Sequence, residues 1–259
     1  MTHLNVSFIG SGRVATQLSR ALFEKNTKIK QIFSRNILHA KQLAETFSAE
    51  GINDLSLLEQ VDIVFIVVSD AAIDIVAQQL QQVNYTGLVV HTSGSTHLNR
   101  LNQYALRSGV FYPLQTFSFE YAVDWSKVPI FIEAGTEQDR ITLENIANQL
   151  SSAIYCYDSE QRLSLHLAAV FACNFSNYCY DIAQQILQNS KVDTDLLQPL
   201  ILETANKLHF FSAFQNQTGP AKRNDNHILA LHESMLQSQQ DWAQIYHIMS
   251  KNIQSRHSG

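Results

Sequence analysis

The chain has 259 residues, 45% of them hydrophobic and 16% charged, with 18 Lys+Arg against 23 Asp+Glu for a net charge of −5. That is enough apolar material for a sizeable core and, at about 150 residues per domain, enough length for two domains rather than one. The acidic balance and the lack of a Lys/Arg cluster exclude nucleic acid as an expected partner, because such binders need a basic face to displace counterions.

No apolar run approaches the roughly 20 residues of a membrane-spanning helix. The N-terminus enters a strand pattern without a basic region or a cleavage site. Cys156, Cys173 and Cys179 form no C-x-x-C pair and leave an odd count, which suits a reducing compartment better than a disulfide framework. A cytoplasmic protein with no membrane partner is the expectation.

In chain order, Asn5-Val6-Ser7-Phe8-Ile9 reads as a strand ended by the Gly10-Ser11-Gly12 turn. Val14, Leu18, Ala21 and Leu22 then recur on one helical face. A strand at 29–33 and a helix at 38–48 follow. Residues 63–68 form a continuous apolar run of the kind that is buried on both faces. Further strands are expected at 88–90, 109–112, 129–133 and 153–156, with a helix at 137–151. This alternation predicts an α/β fold, a doubly wound and largely parallel sheet over residues 1–157.

From about residue 158 the spacing turns helical, and residues 158–259 read as an all-helical domain. Leu163, Leu167, Val170, Phe171 and Phe175 begin one long helix that could reach Gln188. A second, capped by Asp193 or Asp195, runs toward Phe214. A third covers about 226–252, after the Gly219-Pro220 break.

Gly10-Ser11-Gly12-Arg13-Val14-Ala15 fits G-x-G-x-x-G/A between a strand and a helix, the setting that makes this pattern informative. Gly10 permits the tight turn, Gly12 lets the backbone approach a pyrophosphate, and Ala15 keeps the helix close to the sheet. The helix N-terminus offers free N–H groups to the anion. The competing reading is a glycine turn that binds nothing.

An NAD site usually places Asp or Glu about 20 residues further on, to bond the ribose 2′-OH. Here no acid lies between Glu24 and Glu45, and the second strand ends Phe33-Ser34-Arg35-Asn36. Ser34, Arg35 and Asn36 suit a 2′-phosphate, so NADP is the expected cofactor. A solvated surface arginine is the alternative.

Two more strand ends carry polar turns, Val68-Ser69-Asp70 and His91-Thr92-Ser93-Gly94-Ser95. Ligands of open α/β sheets gather beyond the carboxyl ends of the strands, so these turns are candidates for the nicotinamide side. Val68, Ser69, Asp70 and Thr92 are assigned to cofactor contact, and His91 and Ser93 to catalysis. Ser69-Asp70 could equally be a helix N-cap, and His91 a buried histidine satisfied by backbone.

Together with Tyr112-Pro113-Leu114-Gln115 and the stretch from Thr218-Gly219-Pro220 to Arg223-Asn224-Asp225, these segments resemble a known family. It comprises Rossmann-like NADP oxidoreductases with a helical C-terminal half of unknown function. That family is similar to the pyrroline-5-carboxylate reductases and deazaflavin-dependent NADP reductases, and more distantly to 6-phosphogluconate dehydrogenases. The resemblance spans nearly the whole chain. It implies a Rossmann domain, NADP, a small keto or imino substrate bound between the two domains, and dimerisation through the helical half.

Departures limit what transfers. The β-hydroxyacid dehydrogenases place Lys four residues before an Asn; Asn174 could be that Asn, but Val170 stands where the lysine would be. Prephenate dehydrogenases carry His-Pro where this chain has Tyr112-Pro113. Asn224 stands where the family often has Gly.

His166, Val170, Cys173 and Asn177 fall at i, i+4, i+7 and i+11, one helical stripe with Asn174 on its edge. His166 is the expected proton donor, because histidine exchanges protons near neutral pH. Asn174 would orient a carbonyl or imine, and Arg223 would meet a substrate anion. A helix–helix interface, and a loop salt bridge or cap at Asp225, are the competing readings. No metal signature occurs. A non-catalytic NADP-binding sensor or assembly protein is the alternative function. The phenylalanines Phe210, Phe211 and Phe214, followed by Ile228, Leu229 and Leu231, predict a homodimer through the helical domain rather than a monomer.

Overall fold

The computed structural model describes residues 4–104 and 106–258. By its internal contacts the chain divides into two units, Met1–Val170 and Phe171–Gly259.

Among the described residues of the first unit the apolar runs become eight strands of one sheet. They are β1 (Asn5–Ile9), β2 (Lys28–Phe33), β3 (Glu50–Ile52), β4 (Ile63–Ile66), β5 (Leu88–His91), β6 (Ser108–Pro113), β7 (Ile130–Ala134) and β8 (Ile154–Cys156). Their order is β3-β2-β1-β4-β5-β6-β7-β8. β1 to β6 are parallel, β7 runs antiparallel to β6, and β8 is parallel to β7. The order reverses between β1 and β4, the switch point at which open α/β sheets bind ligands.

Helices cover both faces: α1 (Arg13–Glu24), α2 (Ile37–Glu45), α3 (Asp70–Gln82), α4 (Asn99–Asn102) and α5 (Glu137–Leu150). Because strand side chains alternate, β4 sends Phe65 into a layer with Phe8, Leu18 and Leu143, and sends Val64 and Ile66 into a second layer with Ile73 and Leu80. Phe8 stacks on Phe65 at 5.1 Å, and Phe65 meets Phe111 edge-on at 5.9 Å. The all-apolar run of β4 is thus buried on both sides, as a central parallel strand should be.

α6 (Ser159–Ala169) closes the first unit. Asp158 and Gln161 form a reciprocal capping box at its start. Arg162, one turn on, is 1% exposed and pairs with Glu133 of β7. It also donates to the Thr96 carbonyl at 2.6 Å and the Ser159 hydroxyl at 3.1 Å. Ser159 in turn accepts from the Leu98 N–H at 3.0 Å. These bonds fix α6 against the end of β7 and the turn after β5.

The helical pattern is then interrupted. Residues 170–175 form a π-helical turn before α7 (Ser176–Asn189), and the Ser176 hydroxyl bonds the Phe171 carbonyl five residues back. A π-helical turn departs from the 3.6-residue period that the expected stripe from His166 through Cys173 to Asn177 assumes. The second expected helix is broken as well, into α8 (Gln198–Asn206) and α9 (Ala213–Asn216), because Ser212 and Gln215 form a capping box that starts a new helix. The third divides into α10 (Asn226–Met235) and α11 (Gln240–His257). Asn224 takes φ +54°, a left-handed turn position open to Gly and Asn. Among the described residues no helix is long and apolar enough to cross a membrane.

Candidate functional site

The turn after β1 is built by its glycines. Gly10 has φ +132°, and a Cβ there would lie 2.0 Å from the carbonyl oxygen of Val67, the residue just after β4 across the switch point. Its N–H donates to the Phe33 carbonyl at 2.9 Å, so the turn is held from both sides. At Gly12 no atom lies within 4 Å of a would-be Cβ. Among the described residues nothing fills that space, which is what backbone contact with a pyrophosphate requires.

Gly12 also caps α1 without a side-chain bond, and the first turn carries no acid. The first intrahelical bond runs from the Thr16 N–H to the Gly12 carbonyl at 2.9 Å. The N–H groups of Arg13, Val14 and Ala15 therefore precede the helical ladder and are available to an anion. The Arg13 guanidinium lies 5.8 Å over the Phe119 ring. Ala15 is fully buried against the sheet, and Val14 packs on the same layer.

Ser11 donates to the Ser34 hydroxyl at 3.1 Å, joining the glycine turn to the end of β2. Arg35, beside it, is exposed, and no carboxylate among the described residues pairs with it. Asn36 has a structural duty: its side-chain oxygen accepts from the Leu38 N–H at 3.0 Å and caps α2, leaving only its amide N–H groups for a ligand. These residues fit NADP. The turn and the N–H groups of α1 would hold the pyrophosphate, and Ser34 and Arg35 the 2′-phosphate.

On the other side of the switch point, Ser69 is the N-cap of α3 but makes no side-chain cap bond. Asp70 opens that helix and accepts a short hydrogen bond from the Ser95 hydroxyl. Val68 is half-buried and Ser69 exposed. The 93–96 turn closes on Ser93, whose hydroxyl accepts from the N–H groups of Ser95 at 3.1 Å and Thr96 at 2.9 Å. That use of its oxygen makes Ser93 a turn-builder, with Thr92 half-buried beside it.

His91 is fully buried. Its Nδ1 accepts from the Ser93 N–H at 3.2 Å, which places the ring proton on Nε2, an atom with no partner among the described residues. Burial, reinforced by the Arg162 charge and by His97, lowers its pKa to about 3. A histidine neutral at physiological pH holds the turn and does not donate protons. The unfolded chain therefore binds more protons than the folded one between about pH 6.5 and 3, and stability falls with pH across that window, by up to about 1.4 kcal/mol per pH unit. His91→Asn keeps an acceptor near Nδ1 without the titration. Urea unfolding between pH 6 and 4 should show the variant losing about 1 kcal/mol less per pH unit than the wild type; identical pH dependence would refute the buried neutral ring.

A contact the sequence did not disclose lies at the end of β6. The Tyr112 hydroxyl is 3.1 Å from His166 Nδ1 on α6, and the two rings meet edge-on at 6.1 Å. Gly94 lets the β5 turn close over them: a Cβ there would lie 2.7 Å from both His166 Nδ1 and Tyr112 Cζ. His166 thus stays in the first unit with His91, Ser93 and the glycine turn. Asn174, in the π-helical turn, and Arg223, before α10, are exposed residues of the second unit. Asp225 caps α10 by accepting from the Ile228 N–H at 3.3 Å and makes no ion pair with Arg223.

Two sequence profiles match the chain: NADP oxidoreductase, coenzyme F420-dependent, over residues 5–93, and a domain of unknown function, DUF2520, over residues 128–253. No curated protein matches it at significance. Among solved structures, a Bacteroides fragilis protein provisionally named an NADP oxidoreductase is 37% identical, with 97% of this chain and 98% of that one covered at a TM-score of 0.92. The Coxiella burnetii pyrroline-5-carboxylate reductase is 16% identical, with coverage of 97% and 99% and a TM-score of 0.58. A reductive aminase from Aspergillus terreus, solved with NADPH and ethyl levulinate, is 13% identical, with coverage of 98% and 93% and a TM-score of 0.68. The last two share the fold. On the glycine turn, the Ser34-Arg35 strand end and the similarity to the Bacteroides protein over nearly its whole length, this chain belongs to the NADP oxidoreductase family in which a Rossmann-like N-terminal part is followed by a DUF2520 region.

Proposed function

We propose that the protein is an NADPH-dependent reductase of a small keto or imino compound, and that it works as a homodimer in the reducing environment of the cytoplasm. The observation that carries the reading is the switch-point edge of the sheet. One side presents a turn, open N–H groups and an arginine suited to NADP, and the other presents the polar turn after β5. When bound, NADPH supplies the hydride. The chain's own residues hold its phosphates, keep the 93–96 turn in place and present polar groups to the carbon being reduced. Carbonyl and imine carbons are the natural acceptors, as the names of the pyrroline-5-carboxylate reductase and the reductive aminase suggest. The three free cysteines are compatible with the compartment.

The test is loss of NADPH absorbance against a panel of small keto acids, keto esters and cyclic imines. Turnover of at least one is expected. Tight NADPH binding with no turnover of any would instead favour a sensor.

Dimerisation is supported by the second unit. Among its described residues only Ala221 and Leu229 are buried, while Phe210 is 79% exposed and Leu196 68%. Ordering a residue costs about 1.5 kcal/mol of conformational entropy, and two buried side chains do not offset that over a helical unit of this size. A second copy of the chain would supply the missing cover. Sedimentation of the full chain at tens of micromolar should give a dimer; a monomer there would contradict the proposal.

A further inference from the structure

We infer that Tyr112 is the residue that gives the substrate its proton, and that His166 is the positioning residue that holds and recharges it. The inference rests on the reductase reading above. Three observations carry it. Tyr112 sits at the carboxyl end of β6, on the same edge of the sheet as the glycine turn and the 93–96 turn. Its hydroxyl is within hydrogen-bond distance of His166 Nδ1. Gly94 is packed so closely on both groups that any side chain there would displace them. His166 follows Arg162 by one helical turn, so the buried Arg162–Glu133 pair that docks α6 also fixes the imidazole against the phenol.

His91 does not compete for this role, because its ring is buried and neutral. Ser93 is tied into its own turn, where its oxygen accepts from two backbone N–H groups and its hydroxyl has that of Ser95 3.5 Å away. Reduction of a C=O or neutral C=N bond adds a hydride to carbon and moves the π pair onto the heteroatom. That atom then takes the Tyr112 proton, breaking the phenolic O–H bond. The phenolate takes the Nδ1 proton of His166 as a solvent proton adds at Nε2, and exchange with solvent, Nε2 losing its proton and Nδ1 gaining one, returns the ring to its starting tautomer. The sum is substrate, NADPH and one proton going to reduced product and NADP. A phenol suits a developing oxyanion because it carries no charge of its own into a partly buried site.

The test uses the full chain with Tyr112→Phe, which keeps the ring, and His166→Leu. Tyr112→Phe should lower kcat by about 100-fold or more while the Kd for NADPH stays within about twofold. A second readout needs neither cofactor nor turnover: the titration of Tyr112 followed by NMR of ring-labelled tyrosine. His166 stabilises the phenolate by donating to it, so His166→Leu should raise the Tyr112 midpoint by one pH unit or more and shift the alkaline limb of the kcat profile the same way. Wild-type kcat in Tyr112→Phe, or a Tyr112 midpoint indifferent to His166, overturns the inference while leaving an NADPH-consuming enzyme intact. If the wild type turns over no substrate, the reductase reading fails on its own, and the Tyr112 midpoint still decides whether the pair is coupled.

Discussion

Gly10→Ala is expected to cost about 3 kcal/mol or more of stability and to abolish NADPH binding, whereas Gly12→Ala should fold like the wild type and lose only the cofactor. The difference lies in what each added methyl group meets. At Gly10 the backbone holds φ +132°, a region essentially confined to glycine, and the Cβ would sit 2.0 Å from the Val67 carbonyl oxygen. That oxygen is backbone of the segment following β4 and cannot rotate away. Relief would require β1 and β4 to separate at the switch point, where the Val67 N–H donates to the Ile9 carbonyl at 2.8 Å. At Gly12 the backbone is extended and the Cβ enters open space, so stability should change by less than about 1 kcal/mol. Urea unfolding and NADPH titration of both variants separate the two roles. Equal destabilisation by the two would mean that Gly12 is structural.

Arg162→Met should destabilise the protein by about 3–5 kcal/mol, the usual cost of removing one partner from a buried ion pair. Arg162 is 1% exposed and its partner Glu133 17%. Without the guanidinium, the Glu133 carboxylate keeps the Ser159 hydroxyl at 2.7 Å but loses its counter-charge, and the Thr96 carbonyl loses its donor. The double variant Arg162→Met with Glu133→Gln leaves no buried charge unpaired and should recover part of that loss. Because Arg162 also anchors the turn after β5 and the helix that bears His166, the single variant should weaken the Tyr112–His166 contact as well. A loss below about 1 kcal/mol in urea unfolding would contradict this account of how α6 is held.

The local signals were the legible ones. The change from strand to helical periodicity around Gly10-Ser11-Gly12 is written in consecutive residues, and so is the all-apolar run of β4; both came through in the fold. β3 was not legible because three residues carry no periodicity. The reversal of β7 depends on which neighbour it pairs with, a long-range fact. The break between α10 and α11 falls at Leu236-Gln237-Ser238-Gln239, which holds neither Gly nor Pro, so the helical pattern ran through it. The Ser212–Gln215 capping box, by contrast, was a readable helix start within what reads as one helix.

The site divides in the same way. The cofactor side is carried by residues near one another in sequence. The Tyr112–His166 contact joins positions 54 residues apart, and only the fold brings them together. His91 shows the reverse: a catalytic residue type at a strand end, removed from acid–base chemistry by its burial.

The most direct test of the cofactor assignment is calorimetric titration of NADPH and NADH into the wild type and Arg35→Ala. Arg35 is exposed beside the Ser11–Ser34 bond, and no carboxylate among the described residues forms an ion pair with it. The wild type should bind NADPH at least about tenfold more tightly than NADH, roughly 1.4 kcal/mol, and Arg35→Ala should erase most of that preference while leaving NADH affinity nearly unchanged. Equal binding of the two cofactors by the wild type, or an NADPH preference that survives in Arg35→Ala, would contradict it.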